Sequence, residues 1–94
     1  MPLFLDTHID LNGISPEALS DAHQKDLATE KQYPEVHFVQ YWYGQNEDGT
    51  VKQINCLVKA PSAEYVNKVH AEAHGVLADE VMEVKEGVPS SETE

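Results

Sequence analysis

The sequence has few of the features that mark exported or membrane-spanning proteins. It contains a single cysteine, Cys56, so no disulfide can form within the chain, which fits a reducing compartment. No segment approaches the ~18 apolar residues that a membrane span needs. The start, MPLFLDTHID, lacks the basic segment and apolar run of a secretory signal. We therefore expect a soluble, cytoplasmic protein with no membrane partner.

Basic residues are also scarce. Six Lys and Arg residues stand against 17 Asp and Glu residues, which gives a formal net charge of −11. Such a chain repels nucleic acids, anionic membrane surfaces and acidic polymers, whereas it attracts cations. The sequence therefore predicts no nucleic-acid partner and is compatible with cation binding.

The 94 residues suffice for one small domain, and six segments of the chain show the patterns of regular secondary structure. Alternating, β-branched and aromatic residues predict strands, whereas apolar residues spaced three and four apart predict helices. A serine precedes each helical pattern as an N-cap, and Gly75 is a candidate left-handed stop. The predicted elements are a strand at 3–9, a helix at 15–33, strands at 36–43 and 51–60, a helix at 62–75 and a strand at 81–84.

The order β-α-β-β-α-β predicts a fold class. It is the order of the ferredoxin-like α+β fold, in which an antiparallel sheet carries both helices on one face. Residues 1–86 would form this domain. Residues 87–94, GVPSSETE, are polar and poor in apolar residues, so we expect a disordered acidic tail there.

The topology brings several histidines to one edge of the domain. The end of the first strand, the start of the first helix and the end of the second helix share that edge. His8, His23 and His70 lie at comparable depth below it, and the two helical histidines fall within the apolar stripes that face the sheet. His70 and His74 are four residues apart on one helical face, a spacing that can offer two imidazoles to one metal ion.

Four further residues extend this set of candidate ligands. Asp6 lies two residues before the histidine of the first strand and so faces the same side of the sheet. Asp26 follows the histidine of the first helix by one turn and could accept a proton from it or bind a cation. Cys56 lies on the strand next to the first one, and Tyr41 could line the edge of the pocket.

These residues also have ordinary structural interpretations. A single histidine in an apolar helical stripe is most often a core histidine with a hydrogen-bond partner, and a cysteine in a β-branched strand is most often a small buried hydrophobe. Aromatic residues at the end of a strand commonly belong to a core or a dimer interface. However, an unpartnered buried imidazole is costly, so several at one depth need either a hydrogen-bond network or an ion.

Five short motifs occur in the order MPLFLDTHID, DAHQKDL, QYWYG, NCLVKAP and HAEAHGVLADEVMEV. With them the chain resembles, over about residues 1–86, a small family of uncharacterised bacterial ferredoxin-like domains that includes a nickel-binding protein. The resemblance implies a homodimer paired sheet to sheet as a dimeric α/β barrel, with a divalent metal held by acids and histidines. Its matching positions are Asp6, His8, His23, Asp26, Tyr41, Cys56, His70 and His74.

Two departures from the family pattern affect the expected site. The hairpin at 44–53 is longer than in relatives, which affects strand register and hence the facing of Cys56. Lys59 stands where an acid is expected, so no additional carboxylate ligand is available at that position.

The leading hypothesis is a small cytoplasmic homodimer that binds a divalent metal ion such as nickel through imidazole nitrogens and carboxylate oxygens, in preference to an enzyme. Imidazole suits nickel, copper, zinc and iron alike, so the choice of nickel depends on the resemblance. One alternative is a small-molecule enzyme of the dimeric α/β-barrel type that uses His/Asp acid–base chemistry, or Cys56 with His8 or His70 as nucleophile and base. Another is a structural dimerisation module. The sequence has no glycine-rich phosphate loop or nucleophile elbow to favour the enzyme.

Overall fold

A computed structural model of the chain describes residues 1–9 and 11–87. Residues 88–94 lie outside the described residues, so disorder in the acidic tail stays a prediction. The elements are β1 (Leu3–His8), α1 (Pro16–Glu30), β2 (His37–Gln45), β3 (Val51–Lys59), α2 (Ala63–Ala73) and β4 (Glu80–Val84). None of the helices in the described ranges is long and apolar enough to cross a membrane.

The four strands form one antiparallel sheet in the order β2-β3-β1-β4. Together with the order of the elements, this confirms the predicted ferredoxin-like α+β class. Burial alternates along β1, where Phe4, Asp6 and His8 are buried. The apolar core lies on this side of the sheet and includes Leu19 of α1 and Val66 of α2. The buried face of β1, one of the two central strands, therefore carries two polar residues into the core.

The ends of the helices have identifiable causes. Ser15 caps α1, because its Oγ accepts a hydrogen bond from the Ala18 N–H at 3.1 Å. α1 ends at Glu30, three residues before its predicted end, because two turns follow in which the N–H groups of Gln32 and Tyr33 bond three residues back. A proline also disfavours the helical conformation of the residue that precedes it, and Pro34 directly follows Tyr33.

The end of α2 places one of the candidate ligands. Gly75 has a φ of 80°, the left-handed conformation that glycine adopts without steric cost, and its N–H donates to the His70 carbonyl at 2.9 Å. His74 is the C-cap residue of the helix. The turn therefore ends α2 at Ala73 and leaves the His74 ring beside the last helical turn.

The opposite side of the sheet, here called the outer face, is not covered by either of the two helices in the described residues. Leu5 lies directly opposite Leu57 on one neighbouring strand and Met82 on the other. Trp42 pairs with Asn55 on the same side, and its side chain is about half exposed, as is that of Met82. The outer face therefore presents apolar side chains from all four strands to solvent.

Candidate metal centre

A buried imidazole lies between two buried carboxylates where both helices meet the sheet. His70 of α2 places Nδ1 at 2.9 Å from Asp26 Oδ1 of α1 and Nε2 at 2.6 Å from Asp6 Oδ2 of β1. Each of the three residues is less than 5% exposed. Because ionised carboxylates only accept hydrogen bonds, His70 donates from both ring nitrogens and is an imidazolium.

The pKa shifts agree with this charge assignment. Burial alone would lower the pKa of His70, but its hydrogen bonds to Asp26 and Asp6 outweigh burial and raise it to about 9. Burial would raise the pKa of Asp6 and of Asp26, yet the hydrogen bonds from the imidazoles hold both values below the ordinary range. At neutral pH the three residues therefore carry two negative charges and one positive charge.

Asp6 has two further partners besides His70. Its Oδ1 accepts the backbone N–H of Cys56 at 3.1 Å and lies 3.5 Å from Nε2 of His8. The His8 ring packs edge-on against the His70 ring, with centroids 5.0 Å apart. Asp6 and His8 thus share the buried face of β1, as their spacing predicts.

His74 contacts the other carboxylate. Its Nε2 lies 3.0 Å from Asp26 Oδ1, and its Nδ1 accepts the backbone N–H of Val76 at 3.1 Å. Because Nδ1 is an acceptor, the ring is neutral and carries its proton on Nε2, which donates to Asp26. Asp26 therefore receives hydrogen bonds from His70 and His74 rather than from His23, the residue suggested by sequence spacing.

Two overlapping groups of these side chains have the geometry of a metal site. Within each group the possible ligand atoms lie within 4.8 Å of one another. Imidazole nitrogens with carboxylate oxygens form a donor set that suits divalent transition ions. The groups are Asp6 with His8 and His70, and Asp26 with His70 and His74.

The other three predicted ligands lie outside both groups. They line a cavity that lies beside the cluster. The His23 ring packs against Tyr41, with centroids 4.3 Å apart. Burial lowers the pKa of His23, while the charges of Asp26 and Glu30 act in the opposite direction. Roles for His23, Tyr41 and Cys56 as ligands stay predictions.

The thiol of Cys56 is buried next to a carboxylate. Burial first, and then the negative charge of Asp6, raise the pKa of the thiol far above its ordinary value. A thiol is nucleophilic as its thiolate, so Cys56 is not activated in this environment. The Cys/His form of the enzyme hypothesis gains no support from this geometry.

A cavity of about 90 Å³ lies beside the histidine–carboxylate cluster. His8, Asp26, His70 and His74 line one side of it. Much of the rest is aliphatic and includes the loop residues Leu11, Ile14 and Val76, which the sequence analysis did not identify. These three residues have no helical or strand periodicity to mark them. Their signal in the sequence is an apolar side chain within two residues of Gly13 or Gly75.

No curated protein matches the chain. The crystal structure of SCO4226 from Streptomyces coelicolor A3(2) is similar, with 42% sequence identity and a TM-score of 0.76, over 92% of this chain and 99% of that one. Residues 4–84 match the family described as nickel responsive protein SCO4226-like. The chain therefore belongs to the SCO4226-like family of nickel responsive proteins.

Proposed function

We propose that the protein binds a divalent transition-metal ion, nickel in its cellular role, at the histidine–carboxylate cluster. The observation that carries this proposal is the charge of the cluster. Two buried carboxylates face one imidazolium, so Asp6, Asp26 and His70 together retain one uncompensated negative charge. A buried net charge is costly unless a partner neutralises it. A divalent cation that replaced the second proton of His70 would bring the charge of these groups to zero.

The hydrogen bonds favour one of the two ligand groups. At His74, Nδ1 accepts a backbone N–H and Nε2 carries the proton, so the ring offers no free nitrogen without a change at Val76. His8 has no such constraint from a backbone group among the described residues. We therefore assign the ion to Asp6, His8 and Nε2 of His70.

Asp26 and His74 would then act on the ligands without touching the ion. With its Nε2 bound to metal, His70 would keep the proton on Nδ1 and donate it to Asp26. A metal-bound histidine commonly donates its other N–H to a carboxylate, which fixes the ring and raises its basicity. His74 would hold that carboxylate in place through its own hydrogen bond.

We propose nickel rather than another divalent ion because of the family to which the chain belongs. Imidazole and carboxylate ligands bind copper more tightly than nickel in general, so the donor set does not select the metal by itself. The description of the family as nickel responsive supports nickel.

Metal analysis and thermal melting of untagged protein test this proposal. Nickel present at 100 times its dissociation constant should add about 2.7 kcal/mol to the free energy of unfolding. His8→Ala and His70→Ala should each lose this stabilisation, whereas His37→Ala should keep it, because the His37 side chain is 62% exposed and belongs to neither ligand group. Full metal stoichiometry in the double variant His8→Ala/His70→Ala would contradict the assigned site.

We also propose that two chains form a homodimer through the outer face. Leu5, Leu57, Met82 and Trp42 contribute to an apolar surface that neither α1 nor α2 covers. Exposed apolar patches of this kind commonly mark association sites. Pairing of two such sheets would bury both surfaces and give the dimeric α/β barrel that the resemblance implies.

A further inference from the structure

The cavity beside the cluster has a chemical character of its own. Its aliphatic wall includes Leu11, Ile14, Leu19, Ala22 and Ile54. An engineered apolar cavity of about 150 Å³ in another protein stays dry and binds benzene. This cavity is smaller, at about 90 Å³, so it admits no group larger than a single small ring.

The cavity also continues toward the surface. A neighbouring pocket of about 320 Å³ shares four of its lining residues, His8, Leu11, Ile14 and Val76. Val76 is 52% exposed, so this loop forms a solvent-facing rim. A ligand could therefore enter without opening the sheet or separating the helices.

Two polar groups on the wall are available to a ligand. The hydrogen bonds that hold the cluster join Asp6 and Asp26 to His70 and His74, and they involve neither the His23 ring nor the Tyr41 hydroxyl. Those two side chains pack against each other at a centroid distance of 4.3 Å and both face the cavity. They offer a hydrogen-bond donor and acceptor next to an aliphatic wall.

We propose that this cavity binds a small, neutral aromatic molecule with one hydroxyl group, a simple phenol. Its ring would contact the aliphatic wall and the imidazole rings, because aromatic rings pack well edge-to-face and offset against one another. Its hydroxyl would bond to His23 or Tyr41. The net charge of −11 and the nearby Asp26 disfavour an anion, and an organic cation would lose its hydration against the aliphatic wall.

Titration of isotope-labelled, full-length protein in a chelating buffer tests this site without metal. Phenol should shift the amide signals of cavity residues saturably, with one molecule bound per chain. Toluene should bind about fivefold to tenfold more weakly, because it lacks the hydroxyl and loses one hydrogen bond. Benzoate should give no saturable shift. Saturable binding of benzoate, or equal binding of toluene and phenol, would overturn the ligand class.

Two alanines of α1 give a matched pair of variants. Ala22 lines the cavity, whereas Ala28 is on an exposed part of the same helix. Ala22→Leu should weaken phenol binding at least about tenfold by filling the cavity, and Ala28→Leu should leave it unchanged. Val76→Trp fills the rim from an exposed loop and supplies a second blocking variant if Ala22→Leu does not fold.

A further variant removes the proposed hydrogen bond between the phenol hydroxyl and His23 or Tyr41. The double variant His23→Phe/Tyr41→Phe should bind phenol and toluene equally. Wild-type phenol affinity in folded Val76→Trp or Ala22→Leu protein would rule out the cavity as the binding site. Because all these measurements exclude metal, their failure leaves the nickel proposal standing, and a failure of nickel binding leaves this site standing.

Discussion

His70 joins three elements through a single imidazole ring. Its two nitrogens contact carboxylates from β1 and α1, while its backbone belongs to α2. Both carboxylates tolerate burial because each receives more than one hydrogen bond: Asp6 from Cys56 and His70, Asp26 from His70 and His74. Removing one partner of such a buried ion pair typically costs about 3–5 kcal/mol. We therefore expect changes at His70 to affect stability as well as metal binding.

The cluster should make the stability of the metal-free protein depend on pH. Folding raises the pKa of His70 from 6.5 to about 9, so its stabilising contribution is complete below pH 6.5 and is lost as the pH rises through 9. The contribution of the two aspartates, whose pKa is lowered, is present above their ordinary value of 3.8 and is lost as the pH falls through the lowered values. The free energy of unfolding should fall by on the order of 3 kcal/mol from pH 6.5 to 9.

Urea denaturation in a chelating buffer across this pH range measures the effect. His37→Gln, a change at an exposed histidine, should preserve the fall in stability. His70→Gln should remove it, because glutamine has no proton to lose. A wild-type curve that stays flat between pH 6.5 and 9 would show that His70 is not an imidazolium in the folded protein.

Asp26 should influence nickel affinity without binding the ion. Asp26→Asn keeps the shape of the side chain and an oxygen acceptor but removes the negative charge that orients His70. Changes at such supporting carboxylates commonly weaken metal binding by about 10-fold to 100-fold. Asp21→Asn is the matched control, because Asp21 is an exposed acid on the same helix. Competition with a chromophoric chelator measures both affinities, and equal values would contradict the role given to Asp26.

At the scale of elements, local sequence determines most of the boundaries and tertiary contacts determine the rest. Two-residue alternation correctly predicted that Asp6 and His8 share a face, and Gly75 correctly predicted the end of α2. The partner of Asp26 was not predictable in this way. Spacing identifies the face of α1 on which Asp26 lies, but the approach of α2, which brings His70 and His74 to it, depends on the packing of both helices.

The serines that precede the two helices test whether the cap hydrogen bond stabilises a helix start. The Ser15 side chain accepts a hydrogen bond from the Ala18 N–H, whereas Ser62, at the start of α2, makes no side-chain cap hydrogen bond. Ser15→Ala should therefore lower the free energy of unfolding by about 1 kcal/mol. Ser62→Ala should lower it by less. Chemical denaturation of the two variants, compared with wild type, would contradict this account if Ser62→Ala proved the more destabilising change.

At the scale of the whole molecule, the described part of the fold has both helices on one side of the sheet and neither on the other. The helical side holds the cluster and the cavity, and the outer face holds apolar residues from every strand. The two-residue alternation of side chains along each strand predicts that the sheet has a second, outer face. It cannot show what covers that face, because the partner surface would belong to another chain.

Met82→Asp tests the proposed homodimer. Met82 lies on the edge strand β4 and is about half exposed in a single chain, so the fold should accept the charge. In a sheet-to-sheet dimer the charge would be buried, and association should weaken by at least about 10-fold. Sedimentation velocity should show twice the mass of one chain for wild type and for Gln24→Asp, which adds the same charge on an exposed part of α1. A monomeric wild type would contradict the proposal.

The charged partners of the cluster are far apart along the chain, which delays the assembly of the cluster during translation. Asp6 and His70 are 64 residues apart, and Asp26 and His70 are 44 apart. Contacts this distant form only after long loops have closed. During translation both aspartates leave the ribosome long before His70 does, and they stay hydrated in the nascent chain. The cluster therefore assembles only when the second helix has emerged, so a chain truncated before that point would hold Asp6 and Asp26 without the imidazole that pairs with both.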